Sequence, residues 1–243
     1  GFAVAGCAGA ATGEQTGDGK LQVVASTNVY GDIAATIGGD RVDVQSIITS
    51  ASQDPHSYEA SARDRLTVQK ADLVIENGGG YDAFIDTLLQ DAKDPHVVTA
   101  VEYSHDFPGN EGHSDEAHSD EAHADEAEHD HAEDEAGHEG HDHIEGFNEH
   151  VWFDPHTMIH VVGAIADELT ALDPDGAKEF AANAADLTAD LEGFETELAT
   201  LKTDAPDVSV FITAPLPGYL AAAAGFPDIT PEGFAESVAE GTA

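Results

Sequence analysis

The chain has 243 residues, 41% of them apolar, enough for one large domain or two modest lobes around real cores. It carries 49 Asp and Glu against 8 Lys and Arg, a formal charge of −41 that repels nucleic-acid phosphates and draws cations. No run of about 18 apolar residues occurs, so no membrane span is expected. The single cysteine, Cys7, excludes an internal disulfide and a cysteine-based zinc finger.

The chain opens on Gly1, and its only methionine is Met158. Residues 1–7 read as the end of an apolar signal segment whose start lies upstream. Val4-Ala5-Gly6-Cys7 resembles a bacterial lipobox, in which the cysteine is lipid-modified and becomes the N-terminus after cleavage. Residues 8–19 then form a polar tether, which completes a lipid anchor to the membrane at Cys7.

Residues 20–103 alternate β-like and helical runs. Strands are expected at Leu21–Ser26, Val42–Ile48, Asp72–Glu76 and His96–Ala100. Helices are expected near Val29–Ile37, Ala62–Lys70 and Tyr81–Asp91. Such alternation predicts βαβ units and a parallel sheet covered on both faces, an α/β fold. Ligands of open α/β sheets bind beyond the carboxyl ends of the strands, so the loops after strands are the place to look.

Residues 104–147 break the pattern. HSDEA-HSDEA-HADEA fills residues 113–127, and an acidic, His-rich run continues through His143. This composition buries no core, and disorder is expected without metal. Order returns at Phe147. Asp154-Pro155 is a helix start, with Asp as N-cap and Pro at the first helical position, for a helix to about Leu172. A longer helix over Gly176–Lys202 places Phe180, Leu187, Leu191, Phe194, Leu198 and Leu201 on one apolar stripe. A β-run at Val208–Thr213, a helix at Leu216–Ala224 and a helix start at Thr230-Pro231 follow.

Three segments have metal chemistry. Asp54-Pro55-His56-Ser57-Tyr58-Glu59 follows the strand ending at Ile48, where a loop imidazole can meet a divalent cation while a carboxylate orients it. Asn148-Glu149-His150-Val151-Trp152-Phe153-Asp154 sets His150 and an aromatic pair before a capped helix. The third segment, residues 111–143, holds eight His and fourteen Asp/Glu. Its His113, His118, His123, His129, His131, His138, His141 and His143 suit zinc, copper or nickel by ligand type, as a weak, shifting metal collector. His156 and His160, four apart, share one helix face and can chelate a cation, but lack further ligands in the sequence. Nothing pairs a nucleophile with a base, so no enzyme is expected. Glu149 beside His150 is the one candidate for a metallohydrolase base, and adjacent residues on an extended loop would point apart.

These motifs together resemble the zinc/manganese solute-binding lipoproteins of ABC importers. The resemblance runs from about Leu21 onward. It rests on Val24–Tyr30 (VASTNVY), Asp54–Glu59 (DPHSYE), Ala71–Asp82 (ADLVIENGGGYD) and Asn148–Asp154 (NEHVWFD), with the His-rich insert just before the second His motif. It implies two α/β lobes with parallel sheets joined by one long helix, and metal held between them. The lobes would be residues 20–172, with the insert at 104–147, and an incomplete 205–243, linked by 173–204. The first two ligands fall on His56 and His150. The third position falls on Ala214, which has no donor, and the fourth lies beyond Ala243. The implied function is extracytoplasmic capture of Zn²⁺, or Mn²⁺, by a lipid-anchored monomer and its delivery to a membrane permease. The insert favours zinc, since Mn²⁺ prefers oxygen-rich sites. A surface adhesion protein and a zinc reservoir working through the insert are the competing roles.

Overall fold

The computed structural model describes residues 19–110, 144, 146–231 and 233–239. Cys7 and the eight histidines of residues 111–143 therefore lie outside the described residues.

Four short apolar runs bounded by turns become β1 (Leu21–Thr27), β2 (Val42–Ile48), β3 (Leu73–Glu76) and β4 (His96–Thr99). They form one parallel sheet in the order β2-β1-β3-β4. Residues alternate across a strand, and each inner strand is apolar on both faces. Val23, Ala25, Leu73, Ile75 and Val98 face one core; Val24 and Val74 face the other.

Helices cover both faces. On the first lie α1 (Asn28–Gly38), α4 (Pro155–Leu172) and the start of α5 (Ala177–Asp204), burying Tyr30, Ile37, Met158, Val161, Ile165, Leu169 and Phe180. On the second lie α2 (Ala62–Val68) and α3 (Phe84–Leu89), with Val68, Ile85 and Leu88. Ser61 and Asp64 form a reciprocal capping box that starts α2. The start of α4 falls where expected, with Asp154 at the N-cap and Pro155 first in the helix, although the Asp154 side chain makes no bond to a backbone N–H and accepts instead from the Thr157 hydroxyl at 2.6 Å.

At 28 residues, α5 is about 42 Å long at ~1.5 Å per residue. Its first half is tied to the sheet unit. Asn183 donates to the Ile37 carbonyl at 2.9 Å, and Arg41 pairs with both Asp173 and Glu179. Its second half is barer, with Phe194 and Leu201 exposed. So the apolar stripe read from the sequence is buried at Phe180 and Leu198 and open at Phe194 and Leu201.

Two segments depart from the sequence expectation. Ordered chain continues past Tyr103: Ser104 is fully buried, and Asn110 donates to the carbonyls of Glu102 and Ser104. Beyond α5, Val208–Thr213 is no strand. It makes a single parallel bridge, Val210 with Asp228, and Phe211 stays exposed. A β-run becomes a strand only against a ladder, and among the described residues no ladder forms there. Two short helices, α6 (Gly218–Ala223) and α7 (Phe234–Ala239), complete this region.

Candidate metal centre

The loops after β2 and β3 and the chain entering α4 meet at the carboxyl end of the sheet. After β2, Pro55–Ser57 forms a single 3-10 turn. Asp54 shapes it, its carboxylate accepting from the His56 backbone N–H at 3.1 Å and from the Ser57 hydroxyl at 2.8 Å. This is the local side-chain-to-backbone bonding that makes Asp a turn former.

After β3 comes Asn77-Gly78-Gly79-Gly80. All three glycines have positive φ. Gly78 has the least room, since a Cβ there would sit 2.5 Å from Thr99 Cγ2, and at Gly79 one would sit 3.3 Å from the Glu149 Cβ and from Val101. The loop is closed by Asp82, whose carboxylate accepts from the backbone N–H groups of Asn77 and Gly78 at 2.7 and 2.9 Å. Burial raises the Asp82 pKa, while Ser26 and these two N–H groups pull it down. Asn77 accepts from the buried Tyr30 hydroxyl and donates to the Glu149 carbonyl at 2.9 Å. The β3 loop thereby fixes the backbone of the second His segment.

In that segment the Val151 N–H returns to the Glu149 carbonyl at 2.8 Å, with His150 at φ −78° and ψ 48°. This is an inverse γ-turn. The expectation that Glu149 and His150 point apart held for an extended loop and is overturned by this turn. The Glu149 carboxylate lies 3.7 Å from His150 Nδ1 and 3.9 Å from His56 Nε2. His56, Glu149 and His150 thus offer three ligand atoms all within 4.8 Å of one another. Glu149 and His150 are buried, and the His56 side chain is 21% exposed.

Tyr81 and Trp152 wall the imidazoles. Tyr81 packs edge-on to His56 at 4.9 Å between centroids, and Trp152 lies 5.1 Å from His150. Burial, with the nearby Asp82, Asp54 and Glu149 charges, pushes the Tyr81 phenol up to about 12, so it stays neutral at any ordinary pH.

Asn148 supports His150. Its Nδ2 donates to the Pro215 carbonyl at 3.1 Å, which turns Oδ1 toward His150 Nδ1 at 2.8 Å. His150 therefore carries its proton on Nδ1 and keeps the Nε2 lone pair for a cation. The Tyr219 hydroxyl donates to the Asn148 carbonyl at 2.8 Å. Ala214, next to Pro215, is half-buried and brings no donor atom.

Two imidazoles and a carboxylate match the donor set of zinc, whose tetrahedral site has an edge of ~3.3 Å at ~2.0–2.1 Å bonds. The 3.9 Å between the Glu149 oxygen and His56 Nε2 exceeds that edge by about half an ångström. The sequence singled out His56 and His150, and the structure brings them together. It did not name Glu149 as a ligand, nor Asn77 and Asn148 as supports. Their signal was adjacency: two lie in the quoted NEHVWFD segment and one opens NGGGYD.

A parallel sheet with a His–carboxylate–His cluster beyond its strands, leading to one long helix, defines an α/β protein with a candidate metal centre. The chain belongs to the family described as zinc-uptake complex component A, periplasmic (ZnuA), whose pattern matches residues 23–243. It is 26% identical over 203 residues to the manganese-binding lipoprotein MntA of Halalkalibacterium halodurans, covering 84% of this chain and 57% of the relative. It is 28% identical over 194 residues to the manganese ABC transporter substrate-binding lipoprotein PsaA of Streptococcus anginosus, covering 76% and 52%. The chain thus spans about half the length of these relatives. The crystal structure of the Zn(II)-bound ZnuA-like domain of Streptococcus pneumoniae AdcA shares the fold, with a TM-score of 0.64 at 23% identity, over 88% of this chain and 67% of that one.

Proposed function

We propose that this chain is the metal-capturing part of an extracytoplasmic solute-binding protein that delivers Zn²⁺, or Mn²⁺, to the permease of an ABC importer. The observation that carries the reading is the convergence of His56, Glu149 and His150 at the carboxyl end of the sheet. The metal is cargo rather than catalyst. His56 and His150 each supply a ring nitrogen. Glu149 supplies the oxygen that the position of Ala214 does not, and water fills what remains. The two imidazoles favour zinc, and the carboxylate keeps manganese within reach.

Cys7 is the lipidation site in this reading, and the carrier works as a monomer held at the outer membrane face by that anchor. The lipoprotein names of the relatives support this placement. Residues 20–172 and 205–243 serve as two lobes and 173–204 as the link between them. The insert histidines act as a weak collector feeding the site.

The test is a titration of the full chain with Zn²⁺ and with Mn²⁺ against a chelator strong enough to strip weak surface sites. One tight site, lost in His56→Ala and in His150→Ala, supports the proposal. Equal zinc retention by wild type and both variants sinks it.

A further inference from the structure

The sequence singled out His156 and His160, and the cleft does not use them. They sit on the first two turns of α4, where buried Met158, Val161 and Val162 face the core while His156, Ile159 and His160 line the outer side. Residues four apart on a helix are neighbours, but their rings need not converge. Here they do. The two Nε2 atoms are 3.4 Å apart, with the rings nearly perpendicular at 81°.

That separation fits a tetrahedral edge at zinc, ~3.3 Å for bonds of ~2.0–2.1 Å. A carboxylate stands behind the pair: Glu195 Oε1 on α5 is 3.6 Å from His156 Nδ1. A carboxylate facing the far ring nitrogen favours the Nδ1–H tautomer, which puts the lone pair of the ring on Nε2. The His156 side chain is 40% exposed and that of Glu195 36%, so water has access to the remaining coordination positions.

We propose a second metal site, on the outer face of α4, in which His156 Nε2 and His160 Nε2 bind one borderline divalent cation and Glu195 orients His156. Two nitrogen donors with water select Zn²⁺, Ni²⁺ or Cu²⁺ over oxygen-seeking Mg²⁺, Ca²⁺ and Mn²⁺. With two protein nitrogen ligands among the described residues, the site binds weakly and exchanges fast. It stands apart from His56, Glu149 and His150, and holds whether or not the chain serves an importer.

The test follows the histidine ring nitrogens of the full chain by long-range proton–nitrogen correlation spectroscopy while Zn²⁺ is added. His156→Gln and His160→Gln assign the two rings. Both rings should shift with one midpoint, and either substitution should weaken the response of the other ring by tenfold or more. Glu195→Gln should weaken both severalfold. The response should persist in His56→Ala, and Mg²⁺ at the same concentration should leave both rings unmoved. Rings that stay still under excess Zn²⁺ would show that the pair is only an imidazole–imidazole hydrogen bond, and the proposal fails. It also fails if each ring keeps its midpoint without the other, or if Mg²⁺ moves them equally. Melting curves of the two Gln variants matching wild type show that any loss is of ligation rather than of fold.

Discussion

The Asn148 side-chain oxygen accepts from His150 Nδ1 at 2.8 Å while the nitrogen of the same amide donates to the Pro215 carbonyl at 3.1 Å. One amide therefore sets the tautomer of an imidazole and anchors the chain that carries Ala214. Removing it should leave the ring in place but free to rotate and to carry its proton on either nitrogen. Asn148→Ala is expected to weaken zinc binding by about 10–100-fold, the usual cost of losing an outer-shell partner. Competition with a chelator measures this, and unchanged affinity would dismiss the orienting role.

Glu149 is the only oxygen donor in the cluster of three. Glu149→Gln keeps the shape and removes the charge. Both cations should bind more weakly, manganese more than zinc because it depends more on oxygen ligands. A tenfold loss corresponds to about 1.4 kcal/mol. If the two metals lose affinity equally in parallel titrations, Glu149 does not discriminate between them.

Glu76, at the end of β3, is pushed up to about 8 by burial and then by the nearby Asp82 charge, against the pull of the Thr99 hydroxyl. The folded state thus holds this proton while the unfolded chain, near 4.5, has released it. Its contribution to stability is fully present below about pH 4.5 and is lost as pH rises through about 8. Glu76→Gln mimics the protonated form. It should raise stability at pH 8 by on the order of a few kcal/mol and change nothing at pH 4. Denaturant midpoints at the two pH values decide it; an equal effect at both would refute the linkage.

Gly79 stands at φ +64° against Glu149 and Val101. Gly79→Ala meets both backbone strain and a close contact, for an expected loss of about 1–2 kcal/mol of stability. Metal affinity should fall with it, since the displaced neighbour carries the ligand oxygen. A melting temperature equal to wild type would mean the loop gives way without cost.

The sheet unit was legible because its strands are short apolar runs between turn residues, a pattern local enough to read without partners. Val42–Ile48 and Pro155–Leu172 lie where periodicity put them. Val208–Thr213 has the same composition and forms no strand, because strand formation depends on a neighbour that composition does not reveal. At the site, the two histidines were legible from their motifs. Glu149 was not, because its direction depends on a γ-turn at His150 that hangs on the distant Asn77. Distance along the chain, rather than weak signal, hid the supporting residues: Asn77 lies 72 positions from the carbonyl it holds.

Phe107 and Phe147 meet edge-to-face at 5.5 Å between centroids, so the chain leaves the sheet unit and returns to it at one pinned neck. Closing a chain at fixed ends costs little more as it lengthens, about 0.6 kcal/mol per doubling. The stretch between those rings is therefore an interchangeable cassette. It can be lengthened, shortened or rewritten in composition with little penalty to the sheet beneath.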